Sequence, residues 1–198
     1  MCRFEEACFP KKAALPIALT AGATMNTMLL RIFQREVERQ CRFALVAAQD
    51  LNGALQAGDM DRIWFSVQAF LVAAGNISKL LWPPRPLLPE RGAELRASLS
   101  AGEDSPLQPR TFRNYFEHFD ERLEEWATSS ERHNFADSNV GPPNMIVGLD
   151  ATDYLRNFDT TNFAVTFRGD TYRLQPIAEA IRGLWQKAAT EAGKPHWE

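Results

Sequence analysis

The sequence predicts a mainly α-helical protein: an antiparallel helical bundle, followed by a small C-terminal extension that contains a β-hairpin and a final helix. Two long segments, residues 27–57 and 60–82, repeat apolar residues at steps of three and four, and only a very short turn separates them. The last third of the chain instead alternates apolar and polar residues on either side of Gly169. With 198 residues, 45% of them hydrophobic, the chain is long enough for one sizeable core.

The first two helices are predicted from their apolar stripes and from the turn between them. The stripe of the first helix consists of Leu30, Phe33, Val37, Cys41, Ala44, Ala48, Leu51 and Leu55. The stripe of the second consists of Met60, Ile63, Val67, Phe70, Ala74, Ile77 and Leu81. Between them, Gly58 suits the end of a helix and Asp59 can accept hydrogen bonds from the free amides of the next one. Helices joined so closely are expected to pack antiparallel.

Prolines end the second helix, and a third long helix is predicted further along the chain. The segment "WPPRPLLP" lacks backbone donors and restricts its neighbours, so the helix is expected to end near Trp82. A short helix is predicted over residues 90–98 and a loop at "SAGEDSP". The third long helix is predicted over residues 106–127. Its core face would consist of Phe112, Tyr115, Phe116, Phe119, Leu123 and Trp126.

The last third of the chain predicts β-structure and one more helix. "SSERHNFADSNVGPPN" has the composition of a loop, and "MIVGLD" is a short strand candidate. Residues 162–176 are expected to form a β-hairpin around Gly169 and Asp170. An amphipathic helix is predicted over residues 176–192, with Ile177, Ala180, Ile181, Leu184 and Trp185 on its apolar face.

These patterns divide the chain into three regions: a poorly ordered leader at residues 1–24, a helical bundle at 25–129, and an α+β extension at 130–198 packed on the bundle. The leader contains Lys11 and Lys12 before a short apolar run, a loose signal-peptide pattern that Pro16 and the upstream glutamates weaken. An alternative start at Met25 would remove the leader altogether.

Composition excludes several classes of function. The net charge of -3 argues against broad, non-specific nucleic-acid binding, which needs many lysines and arginines. Three cysteines and three histidines show no metal-binding spacing, so we expect no metal, reduced thiols and a cytoplasmic protein. No run approaches the ~20 apolar residues that span a bilayer, so no membrane association is expected. No glycine-rich phosphate loop is present, and no cofactor is expected.

One polar group interrupts the apolar pattern of the third long helix. In "RTFRNYFEHFDERLEEW", helical geometry places Asn114 and His118 one turn apart, away from the apolar stripe, with Arg113 on a flank. Histidine can act as acid or base near neutral pH, and the arginine fork can hold a phosphate. Asparagine adds a neutral donor and acceptor. A solvated face with an Arg113–Glu117 ion pair is the competing interpretation.

"RNYFEH" resembles the R-x4-6-H motif of the HEPN superfamily (higher eukaryotes and prokaryotes nucleotide-binding domains), including the polar residue after the arginine. The helix order is similar too, because family members have two long antiparallel helices followed by further helices, with the motif on a late one. The resemblance covers roughly residues 28–127. It implies a metal-independent endoribonuclease, of the kind found in toxin–antitoxin, phage-defence or RNA-processing systems, and a homodimer in which both motifs line one cleft.

The resemblance also implies roles for three residues. His118 would assist attack by a ribose 2′-hydroxyl or protonate the leaving oxygen, Arg113 would stabilise the scissile phosphate, and Asn114 would orient one of them. Asp120 stands where some relatives have a tyrosine that is modified, so modification there is not expected.

Further arginines are candidates for binding RNA. Arg31, Arg35, Arg39 and Arg42 fall on one side of the first helix and could line a phosphate groove together with Arg110, although Glu36 and Glu38 also allow a merely solvated face. The other function that the sequence leaves open is a catalytically inactive helical module that binds an antitoxin or another protein.

Overall fold

The computed structural model describes residues 25–88, 90–109, 114–115, 118–129, 134–143, 145–150, 153–195 and 197. The helices among them are α1 (Thr27–Ala57), α2 (Met60–Leu81), α3 (Arg91–Leu99), α4 (Phe119–Ser129) and α5 (Leu174–Ala192). The strands are β1 (Asn139–Val140), β2 (Arg156–Asp159), β3 (Ala164–Phe167) and β4 (Asp170–Arg173). A mainly helical chain with a small sheet near the C-terminus and a final helix is therefore confirmed. The predicted leader lies outside the described residues.

The hairpin of α1 and α2 has the predicted limits and caps. Gly58 adopts a φ of 66°, which a side chain would disfavour, and its amide donates to the last carbonyls of α1. The Asp59 side chain accepts a hydrogen bond from the Arg62 amide at 3.0 Å and so caps α2. The two helices run antiparallel, because Gln40 bonds to Asn76 at 3.2 Å while Asp50 lies 3.9 Å from Arg62.

The main core lies between α1, α2, α3 and α5. The predicted stripes supply much of it: Val37, Cys41, Ala44, Leu51, Ile63, Val67, Phe70, Ile77, Leu81, Ile177, Ile181 and Leu184 are all buried. Phe158 of β2 and Val165 of β3 join the same core, so the sheet is packed against the helices. By length and apolar composition α2 could also cross a bilayer, a property that core helices of this kind share.

The four strands form one sheet in the order β1-β2-β3-β4. β1 pairs parallel to β2, and the other neighbours are antiparallel. The predicted hairpin is β3–β4, and its two-residue turn consists of Arg168 and Gly169, with φ angles of 45° and 88°. Positive φ at both turn positions matches the right-handed twist of the strands.

One strand prediction was wrong, and two short strands were not predicted. Residues 145–150, "MIVGLD", form turns and bends rather than a strand. The strand that pairs with the hairpin is β2, and β1, inside the segment predicted to be a loop, pairs with β2. β1 is only two residues long and β2 only four, too short for alternation to stand out.

The prediction of a helix over residues 106–127 was wrong at its beginning. Residues 106–109 form a turn and irregular backbone, Asn114 and Tyr115 are helical, and the continuous helix α4 spans Phe119–Ser129. Pro109 disfavours helical backbone at Gln108, since its ring restricts that residue and it lacks a backbone donor. The predicted core face is also incomplete: Trp126 is buried, whereas Phe119 and Leu123 are exposed. Phe112 and Phe116 lie outside the described residues.

Candidate active site at the start of α4

His118 and Asn114 are one helical turn apart. The His118 amide donates to the Asn114 carbonyl at 2.9 Å, and the Arg122 amide donates to the His118 carbonyl at 3.2 Å. Both side chains are exposed. Residues separated by one such turn lie on the same face, so these two predicted residues are brought together at the surface just before α4.

The imidazole of His118 is open to solvent and lies beside an acidic group. Its side chain is 55% exposed, and Nδ1 lies 3.5 Å from Oε1 of Glu121. At that distance and exposure the contact forms only a weak ion pair when the ring is protonated. The imidazole is therefore accessible to a bound molecule.

The other members of the predicted motif lie outside the described residues. These are Arg113 and Arg110, together with Glu117, the possible ion-pair partner of Arg113. The described geometry of the site thus concerns Asn114, His118 and their surroundings.

The arginines of α1 occupy different environments, and Arg31 is not on the expected surface. Arg31 is only 4% exposed. Its Nη1 donates to Gln34 at 2.7 Å and lies 3.3 Å from the Glu191 carboxylate. Arg35 donates from Nε to the Ala192 carbonyl at 3.5 Å. The reason is tertiary: the C-terminal end of α5 packs along this side of α1.

The remaining two α1 arginines are exposed but paired with acidic residues of the same helix. Arg39 contacts Glu36 at 2.7 Å, and Arg42 contacts Glu38 at 2.9 Å. The row of four arginines that the sequence placed on one side is therefore divided between an interior contact with α5 and local surface ion pairs.

Arg156 is a charged residue beside the site that the sequence analysis did not identify. Its guanidinium makes two bonds to Asp137, 2.8 Å from Nε to Oδ1 and 2.5 Å from Nη2 to Oδ2. Its Cζ atom lies 5.7 Å from the ring centre of Trp64 and 5.8 Å from that of Phe119, the residue after His118. Arg156 therefore connects β2, α2 and the first residue of α4 through paired charges and cation–π contacts.

The partners of Arg156 are themselves held in place. The Trp64 indole donates to the Ser138 carbonyl at 2.7 Å, which fixes the ring beneath the guanidinium. Burial of Asp137 opposes its ionisation, but the hydrogen bonds and charge of Arg156, with help from Ser138, outweigh burial and lower its pKa. No local pattern could have revealed this group, because Trp64, Asp137 and Arg156 are far apart in the sequence.

A second set of contacts anchors the segment around α4 to the β3–β4 hairpin. The ring of Tyr115 stacks on Phe167 with centroids 5.1 Å apart, and its hydroxyl bonds to Asp170. The hydrogen bond to Asp170, followed by burial, raises the pKa of Tyr115. At the other end of the helix, the Trp126 indole donates to the Asp153 carbonyl at 3.2 Å. The start of α4 is thus positioned by the β3–β4 hairpin as well as by Arg156.

The surface around His118 is acidic. Asp120, Glu121 and Glu124 are exposed on α4, whereas Glu125 is engaged by Arg122 at 2.7 Å and Arg168 at 2.5 Å. Within the described parts of the chain, no group of three or more His, Cys, Asp or Glu side chains is arranged to hold a metal ion. Two surface cavities of 680 and 760 Å³ lie elsewhere, and neither is lined by Asn114 or His118.

The chain was compared with protein-family models, with curated proteins and with solved structures. None of the three comparisons gives a match.

Proposed function

We propose that this protein is a metal-independent endoribonuclease of the HEPN type. The observation that carries the proposal is the exposed pair Asn114 and His118, one helical turn apart, in the segment "RNYFEH". An accessible imidazole with a neutral hydrogen-bonding neighbour supplies acid–base chemistry, and Arg113 of the same segment supplies the cation that a phosphate requires.

In this mechanism the RNA provides its own nucleophile. His118 takes the proton from a ribose 2′-hydroxyl as its oxygen attacks the adjacent phosphorus, or gives a proton to the departing 5′-oxygen, and solvent water supplies the other proton transfer. The P–O5′ bond breaks, leaving a 2′,3′-cyclic phosphate and a 5′-hydroxyl. Arg113 stabilises the negative charge that develops on the phosphate, and Asn114 orients the phosphate or the imidazole. No redox step or metal-bound water is required.

The proposal includes a homodimer, and one surface of the α1–α2 hairpin supports it. Phe43 and Val72 are exposed, three and four residues from the Gln40–Asn76 hydrogen bond. Val46 lies four residues from Asp50 and Phe65 three residues from Arg62, its contact partner, and both are exposed. Since residues three or four apart share a helix face, we expect these four apolar side chains on the side of the hairpin that carries the two polar contacts. Exposed patches of this kind are typical of interfaces.

The wider assignment follows the family resemblance. Residues 25–129 would form the HEPN-like antiparallel bundle, and residues 130–198 would be an added unit packed on it, as the shared core of α1, α2, α5 and the sheet supports. RNA would be the substrate, in the cytoplasm, in a toxin–antitoxin or defence setting. Of the proposed RNA-binding arginines, Arg35, Arg39 and Arg42 remain candidates, together with Arg110, whereas Arg31 is buried.

The experiment that tests this function is RNA cleavage by the purified full-length protein in excess EDTA. Structured and single-stranded RNAs are incubated with wild type, His118→Ala and the matched control Glu124→Ala, which changes an exposed residue on α4. We expect wild type and control to cleave, and His118→Ala to lose at least about 100-fold of the rate, the size of a general acid–base contribution. A 2′,3′-cyclic phosphate product would identify the internal attack. Cleavage by His118→Ala at the control rate would refute the site.

A catalytically inactive module that binds an antitoxin or regulatory protein is the second candidate function. The observation in its favour is the acidic exposed surface of α4, where Asp120, Glu121 and Glu124 would repel an RNA backbone. Absence of cleavage by folded wild-type protein on every RNA tested would favour this second function.

A further inference from the structure

An open groove of 760 Å³ lies at the end of the molecule where α1 begins. One wall is the first two turns of α1, and the other is the proline-rich segment after α2. The residues that line it are Asn26, Met28, Leu29, Ile32, Phe33, Lys79, Pro83, Pro84, Arg85, Pro86, Leu87, Leu88 and Arg91. Most of these side chains are apolar, so the groove has a hydrophobic surface between α1 and the proline-rich segment.

The charges at the groove all have one sign. Lys79, Arg85 and Arg91 line it, and no acidic residue does so within the described chain. The nearby carboxylate of Glu94 is occupied, because it accepts the Met25 amide at 2.9 and 3.1 Å. In a protein with a net charge of -3, Arg85 and Arg91 beside this hydrophobic surface form a locally positive site.

Arg91 is built into the groove wall. Its Cζ atom lies 4.9 Å from the ring centre of Phe33, and its Nη2 donates to the Lys79 carbonyl at 3.2 Å. The Nε atom of the same guanidinium is buried and has no hydrogen-bond partner among the described residues. The guanidinium is thus positioned before any ligand arrives.

The openness of the walls favours a polypeptide over a small molecule. Met28 is 62% exposed, Ile32 50% and Leu87 92%. Pockets for small ligands bury roughly 70–90% of the ligand surface, which side chains as open as these cannot do. A helix laid along the groove covers such side chains with an apolar stripe, and acidic residues beside that stripe contact Arg85 and Arg91.

We propose that this groove binds an acidic amphipathic helix of a partner protein. The apolar face of that helix contacts Met28, Ile32 and Leu87, and its flanking carboxylates pair with Arg85 and Arg91. The groove contains neither Asn114 nor His118, so this interaction is independent of the proposed nuclease activity.

The test is fluorescence anisotropy with the full-length protein and two labelled helical probe peptides. Both peptides carry leucine at i, i+3, i+4 and i+7; one has glutamate and the other lysine at the outer positions. We expect the acidic peptide to bind at least about tenfold more tightly than the basic one. We also expect Ile32→Asp and Leu87→Asp to weaken binding about tenfold or more, and Arg85→Glu to weaken it in a salt-dependent way.

The matched control is Val147→Asp, which introduces the same charge at an exposed apolar residue that does not line the groove. The control should bind the acidic peptide like wild type. Equal affinity for the two peptides, or equal loss in the groove and control variants, would overturn the proposal. Failure of the full-length protein to bind either peptide would also overturn it, as would binding of a fluorescent fatty acid without peptide binding.

Discussion

The α1–α2 hairpin and the segment around α4 are both helical, but they are held in place in different ways. The hairpin buries a continuous series of apolar side chains against α3, α5 and the sheet. α4 buries one large side chain, Trp126, and is otherwise positioned by Arg156, Tyr115 and ion pairs at its surface. Most of the stability should therefore come from the hairpin, whereas α4 presents polar groups to solvent at a small cost.

The largest expected effect tests this division directly. Phe70 is 2% exposed in the middle of α2, so Phe70→Ala removes a fully packed ring and leaves a cavity. We expect it to lower the free energy of unfolding by about 3–5 kcal/mol. Leu123→Ala in α4, a matched truncation of an exposed apolar residue, should cost less than about 1 kcal/mol. Urea denaturation followed by circular dichroism measures both, and equal losses would show that α4 is part of the main core.

A second pair of variants distinguishes interior from surface arginines on α1. Arg31→Met removes the 2.7 Å donor of the buried Gln34 side chain and one of the two cations beside Glu191, which keeps Lys194 at 2.6 Å, and we expect a loss of about 1–3 kcal/mol. Arg39→Ala removes only an exposed i,i+3 pair with Glu36 and should cost less than about 0.5 kcal/mol. Thermal unfolding of wild type and both variants measures the two losses of stability. Similar melting temperatures would mean that the Arg31 network contributes nothing beyond a surface ion pair.

The smallest effect concerns the ion pair beside the start of α4 and depends on pH. The pKa of Asp137 is lowered in the folded protein, so its carboxylate stabilises the fold above the ordinary pKa of an aspartate, about 3.9. That stability is lost as the pH falls through the lowered value. Asp137→Asn should therefore cost less than about 1 kcal/mol at pH 7, because the pair is partly exposed, and progressively less below about pH 4.

Chemical denaturation of wild type and Asp137→Asn across pH 3–7 measures this dependence, with Asp104→Asn as an exposed control. A difference that stayed constant over the whole range would contradict a role for the charge of Asp137. Loss of order at Phe119 and His118 in the variant, measured by hydrogen exchange, would show that the ion pair positions α4.

The hairpin and the α4 segment also differ in how well the sequence predicted them. Gly58 and Asp59 act through their own backbone and through amides a few residues away, so the turn between α1 and α2 follows from local chemistry. The apolar stripes of α1 and α2 were also predicted correctly, because a long buried helix repeats its apolar pattern over many turns. In the third predicted helix, residues 106–109 are not helical, and Phe119 and Leu123, which were predicted to lie in the core, are exposed.

By itself, the sequence determined the helix pair, its caps, the β3–β4 hairpin, the final helix and the one-turn spacing of Asn114 and His118, because all of these depend on residues close in the chain. Only the tertiary structure decided that α5 covers Arg31, that Arg156 reaches Phe119, and that β1 and β2 complete the sheet. Those contacts join residues that are far apart in the sequence. They depend on how the whole chain packs, and the periodicity of a single segment does not predict them.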